Sequence, residues 1–309
     1  MNRKLLSIIL IVTVAIMTGC STKQTNSQLN ASANTQSQQS NESNVIKDKS
    51  NTESDSSTIN DTKASTNKVN LYNVIENTYK IANITIKYPQ ISNLGDADRQ
   101  SQINKLIKNS VIEGYDLTET IKTGVIPDYN EPIENLTMDV TYSIELQDEN
   151  ILSIKYLCEA NMKNSAHPNN YLYTTNIDIS DAKILKLSDM FVIDKTLVNA
   201  FKNGTYIPWS KDFDTSDNKT LEENLKREIS NYYNDNDQVM ITSLKQSDNP
   251  EGPTNSYLNF SYLTKDGLVI STGVSHAEGD HAEFKIPYNA LKHNIKTDNK
   301  ALHNLLESS

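Results

Sequence analysis

The chain has 309 residues and a formal net charge of −10, with 22% charged and 36% hydrophobic residues. An acidic balance of this kind argues against nucleic acid as a partner, because a phosphate backbone is bound through a basic surface. It suits a cationic partner, and it equally suits a body that is simply well solvated.

The first element is an address. Met1-Asn2-Arg3-Lys4 is a short basic head, and Leu5 to Met17 is an apolar core. That core is shorter than the roughly 20 apolar residues needed to cross a bilayer, and head and core together read as a secretory signal. Its end, Ile16-Met17-Thr18-Gly19-Cys20, resembles the lipobox of bacterial lipoproteins. The resemblance implies a signal peptide over 1–19, removed so that Cys20 becomes the N-terminus, thioether-linked to diacylglycerol. The alternatives are an uncleaved membrane anchor or a plain secretory signal. One acyl chain holds a protein only marginally on a membrane, whereas two or three retain it. The expected location is therefore extracytoplasmic, on the outer face of a bacterial cell membrane. Of the two cysteines, only Cys158 would remain for a disulfide, so no intramolecular bridge is expected. Cys158 lies in the apolar stretch "LSIKYLCEA" and reads as a small core residue.

Residues 20–70 follow as lipidated Cys20 and a polar tether. Ser, Asn, Thr, Gln, Lys and Asp dominate it, with almost no apolar side chains. Such a segment buries too little surface to offset the entropy of ordering it, so a disordered spacer is expected. Its charges nearly cancel, which leaves the acidic excess in the body from residue 71 onward.

That body divides into a first module over 71–183, a second over 184–295 and a C-terminal tail over 296–309. In the first, "YKIANITIKYP" alternates and predicts a strand ended by Pro89. Ile103, Leu106, Ile107, Ser110 and Val111 recur at helical spacing and predict a helix over 98–113. Two alternating stretches flank a hairpin turn at Gln147-Asp148-Glu149-Asn150, and "YLYTTNIDIS" adds a third strand that turns at Asp181-Ala182-Lys183. The expectation is a helix on an antiparallel meander.

In the second module, Ser188 is the expected cap and Gly204 the expected stop of a helix. Thr220 and Glu223 have capping-box spacing, with Leu221, Leu225 and Ile229 as an apolar stripe running to about Tyr233. "YLNFSYLTKDGLVIST" predicts a hairpin turning at Lys265-Asp266-Gly267, and "AEFKIPYNAL" a closing strand and short helix. Strands and helices do not alternate as βαβ units. The class is therefore α+β: two small helix-plus-antiparallel-sheet modules packed together behind a tether.

Three stretches also carry a family resemblance. "YPQISNLGDADRQSQINKLIKNSV" resembles the start of the domain-of-unknown-function family 4163, and "HPNNYLYTTNIDISDAKILKLSDMF" its junction with family 3298. "YLNFSYLTKDGLVI" followed by "EFKIPY" resembles the closing hairpin of the latter. This pair of modules forms the outer portion of a membrane anti-sigma factor that is a lysozyme receptor, and it precedes the catalytic domain of some peptidoglycan deacetylases. The resemblance implies a wall-facing recognition module. With four residues before the apolar run and none after 309, the expectation is that module alone on a lipid anchor. Where the family carries an apolar, aromatic and proline-rich loop after "GLVI", this chain has "STGVSHAEGDHAEF".

That loop is the one chemically suggestive segment. His276, Glu278, Asp280, His281 and Glu283 lie within eight positions, and imidazole with carboxylate suits a divalent metal. His276 and His281 are the candidate ligands. Against this, they lie five apart rather than four, and Gly279 predicts a turn, so a solvated acidic loop stands beside the metal reading. His167-Pro168 predicts a turn, with pH sensing as its functional alternative. Trp209 is either a packing residue or an exposed aromatic for sugar stacking. No cofactor is expected. The leading function is a lipid-anchored binding protein for a lysozyme-like protein or the peptidoglycan glycan. A wall-polysaccharide enzyme, metal-assisted through His276 and His281, and an accessory to another membrane protein are the alternatives.

Overall fold

A computed structural model of the chain describes residues 72–114, 117–127, 129–208, 215–249 and 259–307. The signal peptide, Cys20, the tether and Trp209 lie outside the described residues. The alternating stretch around Tyr79–Pro89 is two strands rather than one, β1 (Asn73–Ile81) and β2 (Ile84–Ser92). The turn between them is Ala82-Asn83, with Ala82 at φ 48°. An alanine gives no turn signal in sequence, which is why the break was hidden. Pro89 sits inside β2 opposite Glu76. Counting outward from the two-residue turn, that position faces away from β1. On its other side β2 pairs with the next strand only over Ile84–Ile86, so the missing N–H breaks no ladder bond.

Helix α1 (Ala97–Gly114) runs where its stripe predicts and buries Ile103, Ile107, Ser110 and Val111. After α2 (Leu117–Thr123), β3 (Val125–Ile126) and β4 (Glu131–Pro132), the chain enters the hairpin β5 (Leu136–Gln147) and β6 (Ile151–Met162). Strands β7 (Asn169–Asp178) and β8 (Lys183–Leu185) complete a six-stranded sheet in the order β1-β2-β5-β6-β7-β8. One pair departs from the expected meander: β2 and β5 run parallel, because α1 and α2 carry the chain back across the sheet between them.

The second half opens with α3 (Leu187–Met190) and α4 (Lys195–Lys202). Ser188 lies inside α3 and caps nothing. The cap of the longer helix is Asp194, which accepts from the N–H groups of Thr196 and Leu197 at 2.9 and 3.1 Å. Gly204 does follow the end of α4. Strand β9 (Thr205–Ile207) leads towards α5 (Thr215–Tyr232), so Thr220 is a mid-helix residue and not a cap. Leu225 and Ile229 are buried as their spacing predicts. Helix α6 (Asp237–Leu244), capped by Asn236, has no counterpart in the sequence reading. Strands β10 (Asn259–Leu263), β11 (Gly267–Gly273) and β12 (His281–Pro287) form the second sheet, in the order β10-β11-β12-β9. Helix α7 (Lys300–Glu307), within the expected tail, buries Ala301, Leu302 and Leu305.

The class is α+β, with two apolar cores. One lies between α1 and the inner face of the first sheet, around Ile107, Tyr156 and Tyr173. The other gathers α4, α5, α6 and α7 with β11 and β12, around Phe201, Leu225 and Phe284. Each fully buried large side chain contributes on the order of 1.5–3 kcal/mol.

Between the cores, the second face of β6 and β7 meets β10 through polar groups. Ser153 Oγ donates to Asn176 Oδ1 at 2.6 Å and accepts from the Leu263 N–H at 2.9 Å. Asn176 Nδ2 donates to the Ser261 carbonyl at 2.9 Å. Asp248 completes the seam by accepting from Ser261 N–H, Ser261 Oγ, Leu187 N–H and Thr174 Oγ1. Among the described residues no helix is long and apolar enough to cross a membrane.

Candidate functional site

The two histidine-bearing stretches, "HPNNY" and "SHAEGDHAE", meet at one end of the body. His167 lies in the connection between β6 and β7, where Asn164 turns at φ 71°. His276 opens a short 3-10 turn over His276–Glu278, which ends at Gly279 (φ 105°) and is followed by Asp280 (φ 69°). Two successive left-handed residues fold the loop back, so that Val274 N–H reaches the Asp280 carbonyl at 3.0 Å. The Gly279 turn predicted from sequence is therefore real, and it aims His276 across at the other loop.

The rings of His167 and His276 stack with centroids 3.7 Å apart and planes inclined by 13°. His276 Nδ1 lies 2.9 Å from Asp280 Oδ1. The other carboxylate oxygen accepts from the Asn170 N–H at 2.8 Å and from Asn170 Nδ2 at 3.3 Å. Asp280 thus ties the start of β7 to the loop before β12. On the far side, Ser275 N–H donates to Glu228 of α5 at 2.9 Å. Loop 274–280 is pinned from both directions, which pre-orders the histidine pair.

Two tyrosines are exposed, and one of them follows Asn170 on β7. Tyr129, in the turn between β3 and β4, is 52% exposed, and Tyr171 on β7 is 41% exposed. Tyr171 is half sunk into the body, and that burial, followed by nearby Tyr129, Cys158 and Asp280, pushes its phenol up to about 12. The arrangement offers aromatic faces beside imidazole, amide and carboxylate groups. Sequence reading passed over both tyrosines. Their only signal was turn chemistry, in "PDYNEP" and "NNYLY".

The two metal-ligand candidates have different surroundings. His276 is exposed and engaged with Asp280 and His167. His281 begins β12, opposite Gly273, and both its ring nitrogens are shut from solvent without a hydrogen-bond partner. Burial holds its pKa below the ordinary value; Glu283 and Asp280 oppose that shift, and Lys155 adds to it. Glu278 bonds Ser275 Oγ at 3.0 Å, while Glu283 turns inward. There Glu283 Oε2 accepts from Tyr262 OH at 2.5 Å and from Lys155 Nζ at 3.2 Å. Lys155 is also 3.5 Å from Glu145 and sits over the Tyr262 ring. Among the described residues no three His, Cys, Asp or Glu side chains gather as a group able to hold a metal ion. Burial pushes the Cys158 thiol far up, which keeps it an inert core group.

Fold and site together define an α+β body with a polar-aromatic end. No family model and no curated protein matches the chain. The solved structures similar to it include two members of family 3298. A member of family 3298 from Bacteroides fragilis is 18% identical, over 77% of this chain and 96% of that one, with a TM-score of 0.44. A family 3298 protein from Pseudomonas aeruginosa is 13% identical, over 73% of this chain and 93% of that one, with a TM-score of 0.41.

Proposed function

We propose that the chain is an extracytoplasmic binding lipoprotein. Lipid on Cys20 holds it at the outer face of the cell membrane, and its body, a pair of modules like families 4163 and 3298, recognises a wall-associated ligand. The glycan strand of peptidoglycan is the first choice of ligand, and a lysozyme-like protein the second. The observation that carries this reading is the exposed Tyr171, next on β7 to the Asn170 that Asp280 holds beside the stacked His167 and His276. A sugar ring offers an apolar C–H face and a rim of hydroxyls. Aromatic faces flanked by imidazole, amide and carboxylate complement both.

The site's location supports the same reading. Tyr72, the first described residue, is held at the β5–β6 turn by its hydroxyl on the Asp148 carbonyl at 2.9 Å. The histidine pair lies at the opposite end of β6, whose 12 residues span roughly 40 Å. The described chain thus begins at the end of β6 opposite the histidine pair. The acidic body would also speed encounter with a cationic hydrolase.

The test uses full-length protein in non-ionic detergent, sedimented with insoluble peptidoglycan and, separately, passed over immobilised lysozyme, each at low and high salt. Glycan recognition predicts retention that survives high salt and falls at least about tenfold in Tyr129→Ala/Tyr171→Ala. Lysozyme recognition predicts retention that salt abolishes. Absence of retention on both matrices at low salt discards the proposal.

A further inference from the structure

The opposite end of the second sheet carries a different feature. A groove of about 530 Å³ is lined by Lys265 and Asp266 from the β10–β11 turn, Tyr288 and Asn289 after β12, Lys292, Ile295, and Leu306 of α7. That volume lies within the range of sites for small ligands. Its parts are fixed from below. Tyr288 OH donates to the Thr264 carbonyl at 2.9 Å, and Tyr288 N–H points at the Asp266 carbonyl. Asp266 is spent on Lys285, 2.5 Å away, so it does not neutralise the other lysines. Lys265 and Lys292 have no ion-pair partner among the described residues. The Asn289 side-chain amide is likewise exposed and unbonded among them. In an acidic protein, two unspent ammonium groups facing one concavity mark a local positive field.

We propose that this groove binds the carboxyl-terminal end of a short peptide. The two lysines take the terminal carboxylate, the Asn289 amide pairs with a backbone amide, and Ile295, Leu306 and the Tyr288 ring hold an adjoining apolar side chain. This site lies away from the histidine pair and is independent of the glycan reading. The probe is N-acetyl-alanyl-alanine, titrated against full-length protein in non-ionic detergent by saturation-transfer NMR, with the C-terminal amide of the same dipeptide as its uncharged counterpart. The acid form gives saturable transfer, and both its amide and the Lys265→Ala/Lys292→Ala protein weaken binding about tenfold or more. Both lysines are exposed, so an unchanged melting temperature accompanies that loss. The Tyr129→Ala/Tyr171→Ala protein binds the dipeptide as wild type does. Equal binding of acid and amide overturns the proposal, as does an unaffected double-lysine variant. Displacement by inorganic phosphate at the dipeptide's own concentration overturns it too, because the apolar contacts would then contribute nothing.

Discussion

Asp248 clasps Ser261 twice, accepting from its backbone N–H and from its hydroxyl, each at 2.6 Å. The same carboxylate accepts from the Leu187 N–H at 2.7 Å, at the start of α3. One side chain therefore joins the chain after α6, the first helix of the second half and the edge strand β10, and Thr174 of the first sheet donates to it as well. Asp248 itself stands at φ 60°, a conformation that Asp and Asn tolerate better than other side chains.

Replacing Asp248 strands several buried donors at once. Asp248→Ala is expected to lower unfolding free energy by about 3–5 kcal/mol, with left-handed strain added to the lost bonds. Ser261→Ala removes one hydroxyl donor and costs about 1 kcal/mol. Urea denaturation of both variants checks the ratio; equal losses would remove Asp248 from the centre of the seam.

Burial raises the Asp248 pKa from 3.8 to about 6, against the pull of its four donors. A raised carboxylate binds its proton more tightly when folded. Its contribution is thus fully present below about pH 4 and is lost as pH rises towards 6, by about 3 kcal/mol in total. In Asp248→Asn this slope disappears. Stability measured at pH 4, 5, 6 and 7 should show wild type losing its relative advantage over Asp248→Asn as pH rises.

His281 acts with the opposite sign. Its pKa is held below 6.5 by burial, so on acidification the unfolded chain takes up the proton first. Stability from this group is present above about pH 6.5 and drains away as pH falls. Lys155, Glu283 and Asp280 face it, and their balance modulates the slope. His281→Gln should flatten the acid side of the stability profile just below pH 6.5, and an unchanged profile there counts against a buried neutral ring.

Lys155 bridges the modules by holding Glu283 at 3.2 Å and Glu145 at 3.5 Å. Lys155→Met leaves Glu283, only 8% exposed, without its cation, at a cost of about 3 kcal/mol or more. Adding Glu283→Gln should return a good part of that loss. Thermal melts of the single and double variants report it, and simple additivity would mean the pair is not coupled.

Two alanines share φ 48° but differ in surroundings. Ala82 is exposed in the β1–β2 turn, whereas Ala182 is buried in the first core. Ala82→Gly relieves left-handed strain and should stabilise by about 0.5–1 kcal/mol. Ala182→Gly gains the same relief but loses a buried methyl, so its net effect should fall near zero or below. Chemical denaturation separates the two.

Sequence patterning by itself determined the elements whose partners are local. The stripe of α1, the turns at 147–150 and 265–267 and the left-handed Gly279 were legible because helix period, strand period and turn chemistry are properties of neighbouring residues. So were the apolar head with its terminal Cys20 and the polar run behind it, as an expectation of where the chain resides. Other features were decided only by the tertiary structure. In "TTNID" the polar Thr174 and Asn176 look like a solvated face, yet β10 covers them and they bond across the seam. His167 was read as part of a turn and His276 as a candidate metal ligand, because nothing local relates the two; the crossing of two modules stacks them at 3.7 Å. Burial, and with it the charge state of Asp248 and His281, depends on what the rest of the chain lays over a residue, and no period along one strand records that.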